Sequence, residues 1–214
     1  MRPGQDSYKG STRHGITSSP YGAWGGSYVI VGTGAPPPPT GTATGTVLVN
    51  GQPFTSGTIP YGATVDVTAG TLTMTTDVGT LDVRGDGTLP AQAVLTRTSV
   101  TVKKKKLPLV QLALTGGDFS PCTARIAAGA AAGSAAQKPK KKPIRSLWGK
   151  GKGRFRTKGR YSSATVRGTE WVTTDRCDGT LTSVTQGVVS VRDFTRNKTV
   201  SVAAGKSYLA PSHR

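Results

Sequence analysis

Two cysteines and a dense run of cations are the residues of this 214-residue chain whose types and spacing could do chemistry. Cys122, in Phe119-Ser120-Pro121-Cys122, and Cys177, in Thr174-Asp175-Arg176-Cys177-Asp178-Gly179, both sit in turn-like contexts beside strand-forming segments. There is no Cys-x-x-Cys, and the two histidines, His14 and His213, lie near the ends, so the ligand set of a zinc site is missing. The pair reads as a disulfide made in an oxidising compartment. Closing a loop of that length would stabilise the fold by roughly 4 kcal/mol. The alternative is two buried thiols in a reducing compartment.

The cations fall in one region. The net charge is +18, yet residues 1–102 and 161–214 carry only 0 and +3, while residues 103–160 carry +15. The densest part holds Lys138, Lys140, Lys141, Lys142, Arg145, Lys150, Lys152, Arg154, Arg156, Lys158 and Arg160, with no acid and with Trp148 and Phe155 interleaved. Such an arm could bind a polyanion, releasing counterions from nucleic acid, an anionic cell-wall polymer or an acidic membrane surface. The plainer reading is a solvated, self-repelling linker. Residues 154–161 also alternate as an edge strand does, where cations deter aggregation. The linker reading is the stronger of the two, because no nucleic-acid-binding motif surrounds the arm. Lys103 to Lys106 adds four cations at a strand end and is read in the same way.

Weaker motifs resolve into turns. Gly205-Lys206-Ser207 imitates the end of a phosphate-binding loop, but Val200 stands where the first glycine is needed. Arg84-Gly85-Asp86 and Asn197-Lys198-Thr199 read as a turn and a hairpin tip. Asp175 and Asp178 could touch a calcium ion only with several further oxygen ligands. No histidine lies inside the strand-rich region and Glu170 is the sole glutamate, so general acid–base or paired-carboxylate catalysis has little support. The chain is read as non-enzymatic, with no cofactor or metal.

The elements that must hold these residues are short strands. Hydrophobic content is 35%, with 29 Gly and 14 Pro, enough apolar material for one core but not for the whole length. Val and Thr dominate, turn signals recur about every ten residues, and long Ala/Leu/Glu patterns are missing. An all-β fold follows: a single β-sandwich, roll or solenoid-like domain. Residues 1–34 read as a disordered segment or the remnant of an upstream β-domain, and 35–44 as a Pro/Gly/Thr linker. Residues 45–126 form the first half of the domain, with a turn at Ala69-Gly70. The flexible insert covers 127–160, the second half 161–210 and a tail 211–214. Val65, Val67, Val166, Trp171, Leu181, Val189, Val191 and Val202 are the expected core. No run approaches the roughly 20 apolar residues that span a bilayer.

Three stretches in order resemble a known family. Ala164-Thr165-Val166-Arg167-Gly168-Thr169-Glu170-Trp171, then Thr180 to Val191 with Gly187 at its centre, then Thr199 to Gly205, resemble the valine-rich strands of FecR-type domains. Lys206 replaces the family's glutamine, and neither a transmembrane helix nor a sigma-regulating segment is present, so iron signalling is not carried over. The resemblance implies a bacterial extracytoplasmic β-module, secreted or at the cell surface, scaffolding an unidentified protein or cell-envelope partner. Residues 1–26 lack the apolar core of a signal peptide, so Met1 is read as internal to a longer protein whose signal lies upstream.

Overall fold

A computed structural model describes residues 35–122 and 141–212. The readings made for 1–34 and 127–136, together with Lys138 and Lys140, lie outside the described residues.

The fold is all-β, and its architecture turns on one branching strand. β1 (Thr40–Val49), β2 (Gln52–Pro53) and β3 (Ser56–Thr58) form one margin, with β1 running antiparallel to β4 (Thr64–Thr76). β1 begins inside the stretch read as linker. On its other side β4 has two partners in succession. Thr64–Asp66 pair with β6 (Gln92–Val102), and Thr71–Thr76 pair with β5 (Gly79–Arg84). Between them lies Ala69-Gly70, expected as a turn but found within the 13-residue strand. A Cβ at Gly70 would come within 2.6 Å of the Thr46 carbonyl and 2.9 Å of the Thr44 carbonyl, so only glycine lets β1 follow β4 through the bend.

Two arms leave this branch. One continues from β5 through β8 (Pro143–Gly153), β11 (Thr169–Arg176), β12 (Gly179–Gln186) and β15 (Ser207–Pro211). The other continues from β6 through β7 (Lys105–Thr115), β9 (Phe155–Lys158), β10 (Ser162–Val166), β13 (Val188–Asp193) and β14 (Lys198–Ala203). All pairings are antiparallel except β7 with β9, which are parallel. The turn from β14 to β15 brings the arms back together, making a nearly closed, barrel-like sheet. Along this seam the Gly205 amide donates to the Val184 carbonyl at 2.8 Å and the Val184 amide to the Lys206 carbonyl at 3.0 Å.

The largest departure from the sequence reading is the basic insert. Residues 143–158, expected to loop out, form β8 and β9 in the middle of the two arms. The reason lies in what faces inward. Along β8 the interior positions are Leu147, Gly149 and Gly151, so the strand shows almost no hydropathy alternation. Gly149 lies against the Trp171 indole, where a Cβ would meet the ring at 2.7 Å. Gly151 packs under Leu81 and Phe155, with Cβ clearances of 3.0 and 3.1 Å. The apolar mass comes from the neighbouring strands.

Both halves of the chain contribute to one core, including Val65, Val67, Leu81, Leu112, Leu147, Phe155, Val166, Trp171, Val189, Val191 and Val202. Leu181, expected among them, is only half-buried. In β12 the inward positions are Thr180, Thr182 and Val184, because Thr180 is needed inside to donate to the buried Asp175 carboxylate. Trp171 satisfies its own polar edge, donating from Nε1 to Thr157 Oγ1 at 3.0 Å, and Thr157 bonds Thr173 at 2.7 Å. That chain of hydroxyls joins β9 to β11 across the interior.

The seam has a second buried acid. Asp193 accepts from the Tyr208 hydroxyl at 2.7 Å and from the Arg196 amide at 2.8 Å. Burial pushes its carboxyl up, but the Arg196 amide, the Tyr208 hydroxyl and the Arg196 guanidinium together hold it below the ordinary 3.8. A folded pKa below the unfolded one gives stability that is complete above the unfolded value and is lost as pH falls through the folded value.

Two predictions follow from this packing. Gly149→Val is expected to lose about 1–3 kcal/mol in chemical denaturation, because the enclosed indole has nowhere to move. For the seam, acid unfolding followed by circular dichroism should steepen below about pH 4 in the wild type and flatten there in Asp193→Asn. An unaltered acid limb in the variant would remove Asp193 from that role.

Candidate functional site

Incorporating the insert into the sheet separates its cations into three sets. Arg145 and Arg160 are structural. Arg145 Nε donates to the buried Asp175 carboxylate at 2.7 Å, and its second nitrogen reaches the Gly116 carbonyl at 3.0 Å. The Arg160 amide donates to the same carboxylate at 2.9 Å. Both guanidiniums flank Phe119, at 5.2 and 4.6 Å from the ring centroid. Asp175 and Asp178, considered for calcium, are thus held by arginines, Asp178 by Arg176 at 2.6 Å. The disulfide Cys122–Cys177 closes this corner, with Cα atoms 5.1 Å apart, and the Cys177 amide donates to the Lys142 carbonyl. Lys141 and Lys142 are exposed just before β8.

Lys150 and Lys152 form the second set, on the outer face of β8. Lys150 lies 3.7 Å from Glu170 and opposite Asp82 in register, while Lys152 lies opposite Thr80. Beside them the Arg84 guanidinium sits 4.2 Å over the Trp148 ring. This face sets two carboxylates, Glu170 and Asp82, among its three cations.

Arg154, just before β9, and Arg156 and Lys158 within it form the third set. They follow one another at every second residue, and the intervening Phe155 and Thr157 are buried. Their side chains therefore share the outer face, about 7 Å apart. Strand register carries that face sideways: Gln111, Arg156, Thr165, Ser190 and Ser201 stand opposite one another across β7, β9, β10, β13 and β14. The adjacent row is Lys158, Ser163, Arg192 and Thr199. A cleft of about 630 Å³ lies over these rows. Its walls include Val100, Thr101 and Val102 from the β6–β7 hairpin, with Arg154, Arg156, Arg167 and Arg192 around the space and no acid among the lining residues. Val188 (57% exposed) and Phe194 (39% exposed) supply apolar surface.

The arginines are held in place without being neutralised. Arg154 Nε donates to the Pro108 carbonyl at 2.7 Å, Arg156 Nε to Thr165 Oγ1 at 3.0 Å, and Arg192 to the Asn197 carbonyl at 2.9 Å. Among the described residues, none of the four lies within ion-pair distance of a carboxylate. Burial pushes the Arg156 guanidinium below its ordinary value, yet arginine stays charged, so among the described residues its desolvation is offset by a neutral acceptor, Thr165.

The sequence reading thus named Arg154, Arg156 and Lys158 but missed Arg167, Arg192, Val188 and Phe194. One signal was present: with Val189 and Val191 inward, Val188, Ser190 and Arg192 must face outward. Comparison with known families, curated proteins and solved structures finds no match for this chain. Among the described residues no helix is long and apolar enough to cross a membrane.

The disulfide closes a separation of 55 residues. Replacing both cysteines with serine is expected to cost about 4 kcal/mol on loop-closure entropy. Denaturant melts of the variant and of the reduced wild type should agree. A loss under 1 kcal/mol would mean that the Phe119 stack and the Asp175 pair hold this corner alone.

Proposed function

We propose that this chain is a non-catalytic, extracytoplasmic binding module that captures an anionic polymer on the outer face of β9, β10 and β13. The observation that carries the reading is Arg156: half-buried, charged and, among the described residues, bonded to a threonine hydroxyl rather than paired with a carboxylate. A buried charge without a counter-ion is costly, and an incoming sulfate, phosphate or carboxylate would supply one, with the geometry that guanidinium forks favour. Three further arginines and a ring of Ser and Thr hydroxyls around the same space support it. The titratable groups also speak against catalysis. Glu170 is paired with Lys150, and the buried Asp175 and Asp193 are saturated by structural partners. The disulfide is compatible with an oxidising, extracytoplasmic location.

The FecR-type resemblance stands within this proposal. Its three stretches fall on the consecutive strands β10 to β14, which build both the Trp171 side of the core and the floor of the cleft. On this reading the module displays its arginine face at the cell surface or in a secreted protein.

Calorimetric titration with a heparin oligosaccharide over rising salt tests the idea. Arg156→Gln should weaken binding about tenfold, the worth of one charge-assisted hydrogen bond, and should lower the salt slope by about one. Lys150→Gln, beside Glu170 on the outer face of β8, should change little. Equal losses from the two variants would reduce the binding to bulk positive charge and discard the cleft.

A further inference from the structure

The β6–β7 hairpin ends in a two-residue turn made of Lys103 and Lys104, with Val102 and Lys105 as the last pair. Both turn residues have positive φ, 46° and 64°. This is the turn for which Asn-Gly is the favoured sequence, because other side chains are strained there. The chain uses that dipeptide conformation elsewhere with the expected residues: Asn50 and Gly51, between β1 and β2, have φ of 52° and 78°. At the longer hairpin it instead places lysine at both strained positions and at both that follow, all four exposed. A local conformational cost retained at an exposed tip points to function rather than folding.

The tip is also aligned with the cleft. β7 and β9 run parallel, with Val110 beside Phe155. Arg154 therefore stands level with Leu109, and Lys105, which shares the outer face of Gln111, lies four residues earlier, about 13 Å along the same axis. Lys105, Arg154, Arg156 and Lys158 make a file of cations on one face of the sheet, from the hairpin tip along β9. Val100, Thr101 and Val102, which wall the cleft, lie on the strand leading directly to the turn.

We infer that the lysine turn and the arginine cleft form one continuous track for a linear anionic glycan, a sugar chain carrying sulfate or phosphate groups. The inference rests on the cleft being the anion site and adds the occupant's class and its second contact. The lining favours a glycan over a nucleic acid. Among the described residues, six Ser and Thr hydroxyls line the space, matching a polyhydroxylated chain, with one aromatic, Phe194. Single-strand nucleic-acid sites depend on successive stacking rings.

The decisive variant is Lys103→Asn with Lys104→Gly, which removes two charges while installing the favoured turn. Wild type, this double variant and Arg156→Gln would each be titrated with a long heparin fraction, a disulfated disaccharide and a single-stranded oligonucleotide matched in charge to the long heparin. The double variant should melt about 2–4 °C higher, bind the long heparin about tenfold more weakly with a salt slope lower by about two, and bind the disaccharide as wild type does. Undiminished binding of long heparin by the double variant, when Arg156→Gln is impaired, would overturn the track but keep the cleft. Wild-type binding by Arg156→Gln to both sugars would overturn the cleft itself. A lower melting temperature in the double variant would remove the strain argument and with it the inference. An oligonucleotide bound as tightly as the long heparin would assign the track to nucleic acid and refute the glycan. Comparing sulfated with phosphorylated oligosaccharides then distinguishes the two sources of charge.

Discussion

The indole of Trp171 occupies space that β8 leaves empty, and the rest of the fold depends on that exchange. Gly149 and Gly151 contribute no side chains, so Trp171, Phe155 and Leu81 can pack directly against the β8 backbone. This contact makes a lysine-rich, glycine-rich segment into a central strand rather than a tether. Because β8 is fixed between β5 and β11, the chain that leaves it must return through β9 beside β7. Only then do Arg154, Arg156 and Lys158 point outward from a rigid surface. A sheet holds such side chains at repeat distances set by the backbone, whereas a flexible arm would have to order them on binding.

Charge is handled differently on each side of the sheet. Near the disulfide, two arginines meet a buried aspartate and an aromatic ring, so the charges are consumed by structure. On the outer face of β8, Lys150 stands beside Glu170 and opposite Asp82 at the sheet surface. Across β9, β10 and β13, Arg154, Arg156 and Arg192 donate to hydroxyls and carbonyls, and among the described residues none is paired with a carboxylate. The net charge of +18 therefore says less than its distribution among these three environments.

The all-β class and most of the core were legible in the sequence because apolar residues recur at every second position, separated by polar ones, in β4, β10, β13 and β14. The disulfide was legible because there are only two cysteines and both lie in turn-like sequence contexts. β8 was not, since a strand whose inward residues are glycines has no hydrophobic period, and its cations and prolines imitate a linker. Gly70 was misread for a similar reason: glycine marks a turn and a close backbone approach alike, and only the β1 pairing distinguishes them. Leu181 faced the wrong way because a polar requirement, Thr180 at Asp175, set the register of β12. The cleft itself draws residues from the hairpin at 100–102, from 154–156, and from three later strands, an assembly that no local pattern encodes.

The parallel ladder between β7 and β9 joins residues that are more than forty positions apart, from Val110 with Phe155 to Ala113 with Lys158. Contacts so distant in sequence carry a loop-closure cost before they contribute stability. The intervening β8 and the disulfide corner lower that cost by bringing the two strands close along the chain. The surface carrying the arginine file exists only once this non-local pairing is made. A nascent or partly unfolded chain would present its cations scattered along a coil rather than aligned.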